Sequence, residues 1–294
     1  MAELFVGDLY AGLSGLELEI DSFDLGSGVS LSKTYAHLMS PFIMAFAPAP
    51  PGGPHPAPWK AVRGSHGFDV TTELHVPLAV AKAHHERFAI ARIIVFLVRI
   101  GINPATSLAV VSSHSFADAP TLNENEALLV PFEVQKRRFP LSVASGAANT
   151  ANLEWVRDRW RLTRAMAADS EEFALAVEAL DIGQFIAHTA LALVSTWAAL
   201  EALFSPSTTE LKFRVSSLIA AFLEPPGIQR ATLQKEIAAL YDKRSAAAHG
   251  KSKHDDQDLL ASFNLLRRVV IAIIDRKAVP SKAELEAFLF GATV

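Results

Sequence analysis

The sequence Leu240-Tyr-Asp-Lys-Arg-Ser-Ala-Ala-Ala-His-Gly250 places an arginine and a histidine at the end of a strongly helical, apolar segment. Apolar residues recur upstream at helical spacing, at Leu233, Ile237 and Leu240. The same register continues through Arg244 to Ala248. The pattern therefore predicts a helix that carries a guanidinium on the face that packs against the rest of the fold.

The end of this helix holds the second polar residue. Gly250 is typical of the left-handed residue that terminates a helix, so His249 should lie in the last turn, where carbonyl groups favour a protonated imidazole. An arginine in a packed face and an imidazole at a helix end together indicate chemistry on an anion. Five residues correspond to about 140° of rotation, so Arg244 and His249 converge only if the helix ends between them or a second copy contributes.

Composition limits the class of protein. A chain of 294 residues can form two domains, and 50% hydrophobic with 20% charged residues is typical of a globular protein. The net charge of −4 argues against a protein coated in nucleic acid, so contact with RNA would need a local basic patch. Residues 234–254 carry such a patch, with a local charge of +3. Its alternative interpretation is a solvated helix face. The basic residues are Lys235, Lys243, Arg244, Lys251 and Lys253.

Several kinds of chemistry and location are not expected. The chain has no cysteine, which excludes disulfides, thiolate catalysis and a cysteine zinc site. The start of the sequence lacks a signal-peptide pattern and the apolar runs are short or interrupted, so we expect a cytoplasmic protein without membrane contact. His84-His85-Glu86 do not form a metal site, because adjacent helical residues diverge by about 100°. No metal or cofactor is expected.

The first 150 residues predict a mixed α+β domain. Apolar stretches alternate with turn residues, and the segment Pro48–Pro58, with six prolines and two glycines, predicts a surface loop. The small, polar segment Ser145–Asn152 is the expected domain boundary. The predicted elements are strands at Leu16–Ile20, Val29–Leu31, Val70–Val76, Ser107–Ser112 and Ala127–Val134, and a helix at Leu78–Ile100 closed by Gly101.

Residues 151–294 predict helices alone. Ser170 followed by two glutamates is typical of a helix N-cap, and Asp255-Asp256 suits the start of another helix. One helix is apolar nearly all round and should be central. Long amphipathic helices with short connections indicate an antiparallel bundle. The predicted helices are Trp155–Met166, one from Ser170 to Gly183, Phe185–Phe204, Thr208–Leu223, Ala231–His249 and Leu259–Lys277.

The C-terminal half resembles the HEPN superfamily (higher eukaryotes and prokaryotes nucleotide-binding), whose motif is an arginine followed after four to six residues by a histidine. Here the motif is Arg244-Ser-Ala-Ala-Ala-His249. Together with Trp197-Ala-Ala-Leu-Glu-Ala-Leu-Phe204, it resembles the Apea-like branch associated with abortive infection. The resemblance covers about Ser170 to Lys277. Two residues depart from the family pattern: Ser245 replaces the usual Asn, Asp or His, and Lys251 replaces a tyrosine that is nucleotidylated in some HEPN toxins.

The resemblance implies a metal-independent endoribonuclease whose site lies at a homodimer interface in the helical domain, in prokaryotic antiviral defence or a toxin system. His249 would transfer protons as general base or acid, and Arg244 would hold the developing charge on the phosphate. The residues expected to contact RNA are Lys243, Ser245, Lys251, Lys253 and Tyr241.

Two alternatives remain open at this point. Arg244 can simply be neutralised by Glu201 on the central helix, with His249 capping a helix end. A HEPN module can also bind RNA or a nucleotide without cutting it, or only mediate dimerisation. In that case residues 1–150 would act as a sensor for an unidentified regulatory partner.

Overall fold

The computed structural model describes residues 6–39, 42–62, 67–123, 126–135, 147–204, 210–248 and 255–291. These residues form a six-stranded antiparallel sheet, a two-stranded hairpin and eight α-helices, which confirms the predicted α+β class. The chain divides into two compact units, here called the sheet unit and the helical unit. The sheet unit comprises Met1–Val95, Ala105–Val134 and Ser145–Glu154; the helical unit comprises Phe96–Pro104, Gln135–Ala144 and Trp155–Val294.

The sheet unit combines a local hairpin of β2 and β3 with pairings between strands that are far apart in the sequence. Its six-stranded sheet has the order β2-β3-β6-β1-β7-β8 with antiparallel pairing throughout, and β4 pairs with β5 as a separate hairpin. The strands are β1 (Leu9–Ser14), β2 (Ser22–Gly26), β3 (Val29–Leu38), β4 (Phe42–Ala45), β5 (Trp59–Val62), β6 (Phe68–Val76), β7 (Ser107–Ser112) and β8 (Leu129–Pro131).

The centre of the sheet is β1, whose alternating side chains Leu9, Ala11 and Leu13 are fully buried. Gly12 lies between them on the opposite face, and a Cβ there would approach the side chains of Val110 and Phe116 to 2.8 Å. Only glycine therefore lets Phe116 pack onto this face of the sheet.

Helix α1 (His84–Gly101) ends at the predicted glycine but begins six residues later than predicted. The guanidinium of Arg87 explains the late start, because it donates to the carbonyl oxygens of Ala81 and Lys82, both at 2.7 Å. These two carbonyl groups therefore accept hydrogen bonds from a side chain and not from the backbone N–H groups of a helix.

The strand predicted at Ala127–Val134 is shorter in the structure, where it forms β8.

Of three other strands predicted in the sheet unit, two are present and one prediction is wrong. The strand predicted at Ser107–Ser112 is β7, and the strand predicted at Val70–Val76 lies within β6. The strand predicted at Leu16–Ile20 is wrong: this segment makes only an isolated bridge, from Leu18 to Ala148.

Seven further helices lie in the described part of the helical unit. Ser170 caps α3 by accepting from the Phe173 N–H, as predicted. Helix α7 starts at the predicted Asp255-Asp256, where Asp255 forms a capping box with Asp258. The short helix α8 was not predicted. The helices are α2 (Thr150–Asp169, whose first turn belongs to the sheet unit), α3 (Glu171–Gly183), α4 (Thr189–Phe204), α5 (Leu211–Leu223), α6 (Ile228–Ala248), α7 (Asp256–Arg276) and α8 (Lys282–Leu289).

Helix α4 is the centre of this unit, as its all-round apolar character predicted. It packs against α3, α5, α6 and α7, and Trp197, Leu200 and Phe204 are fully buried. The indole of Trp197 donates to the hydroxyl of Ser262 on α7 at 3.0 Å, so its one polar atom is satisfied. Among the described residues, every helix is too short or too polar to cross a bilayer.

Candidate functional site

Arg244 lies near the end of α6 and faces the central helix α4. Its Nη2 donates to Oε2 of Glu201 at 3.0 Å, and the two side chains are 22% and 20% exposed. The structure thus contains the ion pair that the simpler alternative anticipated. Because both side chains keep contact with solvent, the pair is partly buried and not sealed in the core.

The buried face of α6 agrees with the predicted register at Ile237 and differs from it at two later positions. The buried residues are Ile237, Tyr241 and Ala247, whereas Leu240 is only half-buried and Ala248 is exposed. Aromatic packing accounts for the difference, because Tyr241 turns its ring toward α4. The apolar pattern of the segment does not distinguish Leu240 from Tyr241.

Tyr241 supports the arginine from one helical turn before it. Its ring meets the Trp197 ring edge-on with centroids 5.3 Å apart, and the guanidinium carbon of Arg244 lies 5.5 Å from the Tyr241 centroid. Burial raises the pKa of the Tyr241 hydroxyl, and the neighbouring Glu201 carboxylate raises it further. With 8% of the residue exposed, Tyr241 packs within the bundle and leaves little ring surface for a nucleic-acid base.

The Arg244–Glu201 pair is incomplete within the part of the chain that the structure describes. Nε of Arg244 and Oε1 of Glu201 are both buried, and neither has a hydrogen-bond partner among the described residues. Buried polar atoms in folded proteins nearly always have partners. The Glu201 carboxylate also lies within reach of the Tyr241 hydroxyl. The arrangement therefore leaves the Nε donor of Arg244 for a group beyond those described: another segment of the chain, a second copy, water or a ligand.

The other described members of the predicted RNA-binding set lie close by. Lys243 donates to Asp258 on α7 at 3.1 Å, and Ser245 is half-buried beside Arg244. Sequence reasoning missed Asp258, although the acidic start of α7 was a visible signal. Lys243 and Arg244 each face a carboxylate, so the part of the basic patch that the structure describes is largely neutralised.

His249, Lys251 and Lys253 lie outside the described residues. They belong to the segment 249–254, which connects α6 to α7 in the sequence. The distance between Arg244 and His249 therefore stays a matter of prediction. In the sequence, this segment begins five residues after Arg244.

Within the described ranges, no group of three or more histidine, aspartate or glutamate side chains is arranged to hold a metal ion. The polar atoms around Arg244 are instead a guanidinium, a carboxylate and a phenol. Of these groups, the guanidinium can bind an anion through its N–H donors and the phenol can donate a hydrogen bond, whereas the Glu201 carboxylate holds the guanidinium.

Comparison with protein-family models, with curated proteins and with solved structures returned no match. The resemblance to the HEPN superfamily therefore rests on the motif residues and their helical setting. Function must accordingly be argued from the site itself.

Proposed function

We propose that the helical unit is a metal-independent endoribonuclease with a HEPN-like bundle, acting as a cytoplasmic homodimer in prokaryotic antiviral defence or a toxin system. One observation carries the proposal: Arg244 is held by Glu201 and Tyr241 at a partly exposed position, with a buried N–H still without a partner among the described residues. Five residues later the sequence supplies His249, a group that can transfer protons near neutral pH.

The proposed reaction is transesterification within RNA. The ribose 2′-hydroxyl attacks the adjacent phosphorus while His249 of one copy accepts its proton, and His249 of the second copy protonates the departing 5′-oxygen. Arg244 donates hydrogen bonds to the non-bridging oxygens, whose charge grows in the transition state. The products carry a 2′,3′-cyclic phosphate and a 5′-hydroxyl. Two copies are required because one imidazole cannot act as base and acid in the same step.

Glu201 has a positioning role in this proposal. A guanidinium has five N–H donors in a planar fork, and only the Nη2 hydrogen bond to Glu201 joins the two side chains. The carboxylate orients this fork on α6 while other donors are left for a phosphate. It also offsets the positive charge, so phosphate binding should be weaker than at an arginine without an acidic neighbour.

A second candidate function is RNA or nucleotide binding without cleavage, or dimerisation alone. The same ion pair favours this candidate, because an arginine engaged by a carboxylate is less available to a phosphate. The Lys243–Asp258 pair also reduces the charge available to RNA. Under this alternative the chain should bind RNA without cleaving it, or should form a dimer without binding RNA.

The experiment that separates these candidates incubates the purified full chain with end-labelled RNA in the presence of a chelator. The variants are Arg244→Ala and, as a matched control, Arg268→Ala, which removes another ion-paired arginine of the helical unit, at Glu224. We expect chelator-insensitive cleavage by the wild type and the control, cyclic-phosphate ends, and at least about a hundredfold loss in Arg244→Ala. Cleavage that the chelator abolishes, or that Arg244→Ala retains, contradicts the proposal.

A further inference from the structure

A small cavity of about 270 Å³ lies in the helical unit between the end of α1, the end of α3 and the middle of α7. Among the described residues, its lining combines apolar side chains with four polar ones and contains no acidic residue. The apolar walls include Leu180 and Phe263, and the polar residues are Arg99, Gln184, Asn264 and Arg267. Because two cationic side chains line this cavity, the kind of molecule that can occupy it depends on whether their charges are compensated.

The positive charge of Arg99 is compensated by a carboxylate. Arg99 donates to Asp181, and both side chains are almost completely buried, with 4% and 5% exposed. Asp181 does not line the cavity. Asp181 therefore neutralises Arg99 from outside the lining, and the charge of the cavity depends on Arg267.

The charge of Arg267 is not compensated among the described residues. Its Nε donates to the carbonyl oxygen of Ile100 at the end of α1, at 2.6 Å, and no described carboxylate pairs with its guanidinium. Burial lowers the pKa of Arg267, because removal from water opposes the charged form. The next residue, Arg268, differs in this respect: it lies at the surface and pairs with Glu224.

We propose that this cavity binds a small oxyanion, a free phosphate or the phosphate or carboxylate group of a small molecule. The guanidinium of Arg267 supplies a fork of N–H donors that matches two oxygens of such a group. The carboxamide of Asn264, one helical turn away on α7, adds a further donor at the rim. The volume lies just below the usual range for organic ligands, about 300–1,000 Å³, which limits the occupant to a small molecule. This site is separate from the Arg244 site and does not rest on the ribonuclease proposal.

The test is isothermal titration calorimetry of the full chain with inorganic phosphate and, separately, with acetate, in chloride buffers of matched ionic strength. We expect saturable binding of at least one anion to the wild type and to the control Arg268→Gln. Arg267→Gln should bind at least about tenfold more weakly, because a charge-assisted hydrogen bond is lost. Tighter binding of phosphate would assign the site to phosphate groups, and tighter binding of acetate would assign it to carboxylates.

Two results would overturn the proposal: the absence of saturable binding of either anion to the wild type, or equal loss in Arg268→Gln and Arg267→Gln. Circular dichroism establishes whether Arg267→Gln is folded. If it is not, Asn264→Ala replaces it, since Asn264 is exposed and its truncation leaves the core intact. Unchanged affinity in Asn264→Ala would then count against the site, and weakened affinity would support it.

Discussion

Replacement of Glu201 by glutamine tests whether the partly buried ion pair positions Arg244. The substitution removes the negative charge and keeps the shape, leaving the guanidinium of Arg244 beside a neutral amide. Surface ion pairs contribute about 0.2–1 kcal/mol, whereas breaking a fully buried pair costs about 3–5 kcal/mol. Both side chains are about one-fifth exposed, so we expect Glu201→Gln to lower the free energy of unfolding by about 1–3 kcal/mol.

A double-mutant cycle with Arg244→Leu isolates the interaction. The double variant should be less destabilised than the two single variants added together, with a coupling of about 1–2 kcal/mol, because no charge is left unpaired. Urea unfolding followed by circular dichroism at pH 7 measures all four proteins. Asp242→Asn is the matched control on the same helix: its pair with Lys212 is exposed and should contribute under about 1 kcal/mol. Additivity within about 0.3 kcal/mol would refute the positioning role of Glu201.

Three further predictions concern stability. Asp181→Asn should lower the free energy of unfolding by about 3–5 kcal/mol, because it leaves Arg99 buried and charged; a loss below about 1 kcal/mol in urea unfolding would contradict this. Burial raises the pKa of Glu73, so the native state binds more protons than the unfolded state, and this group's contribution to stability falls as pH rises above about 4.5. Glu73→Gln, which can still accept from the Phe116 N–H, should therefore gain stability relative to wild type at pH 7 and lose that advantage at pH 4, as measured by thermal unfolding at both pH values. Asp255→Ala removes the cap of α7 and should cost about 1 kcal/mol, a loss that a matched Asp256→Ala variant should not reproduce in urea unfolding.

Much of the local structure follows from short-range signals in the sequence. The cap at Ser170, the helix start at Asp255-Asp256 and the helix end at Gly101 were all predicted from neighbouring residues. The central position of α4 was also predictable, because only a helix surrounded by others can be apolar on every side. Helix α8 was missed, although Ser281 and Glu284 form a capping box whose spacing is visible in the sequence.

The remaining features depend on residues that are distant in the sequence. Apart from the local β2–β3 hairpin, the strand order β2-β3-β6-β1-β7-β8 arises from pairings between remote strands, which no local pattern specifies. The same holds for the buried pair of Arg99 and Asp181, which are 82 residues apart. At the candidate site, Glu201 was anticipated as a partner of Arg244, whereas the turn of Tyr241 toward Trp197 was not. Both depend on how α6 packs against α4.

The most direct test of the ribonuclease proposal is a comparison of wild type with His249→Ala on total RNA, at equal concentrations and with a chelator present. Removal of a general acid–base group should slow cleavage by about 10²–10⁴-fold, while circular dichroism and the dimer mass remain those of the wild type. Cleavage by His249→Ala at the wild-type rate would contradict the account, as would a wild-type protein that leaves the RNA intact.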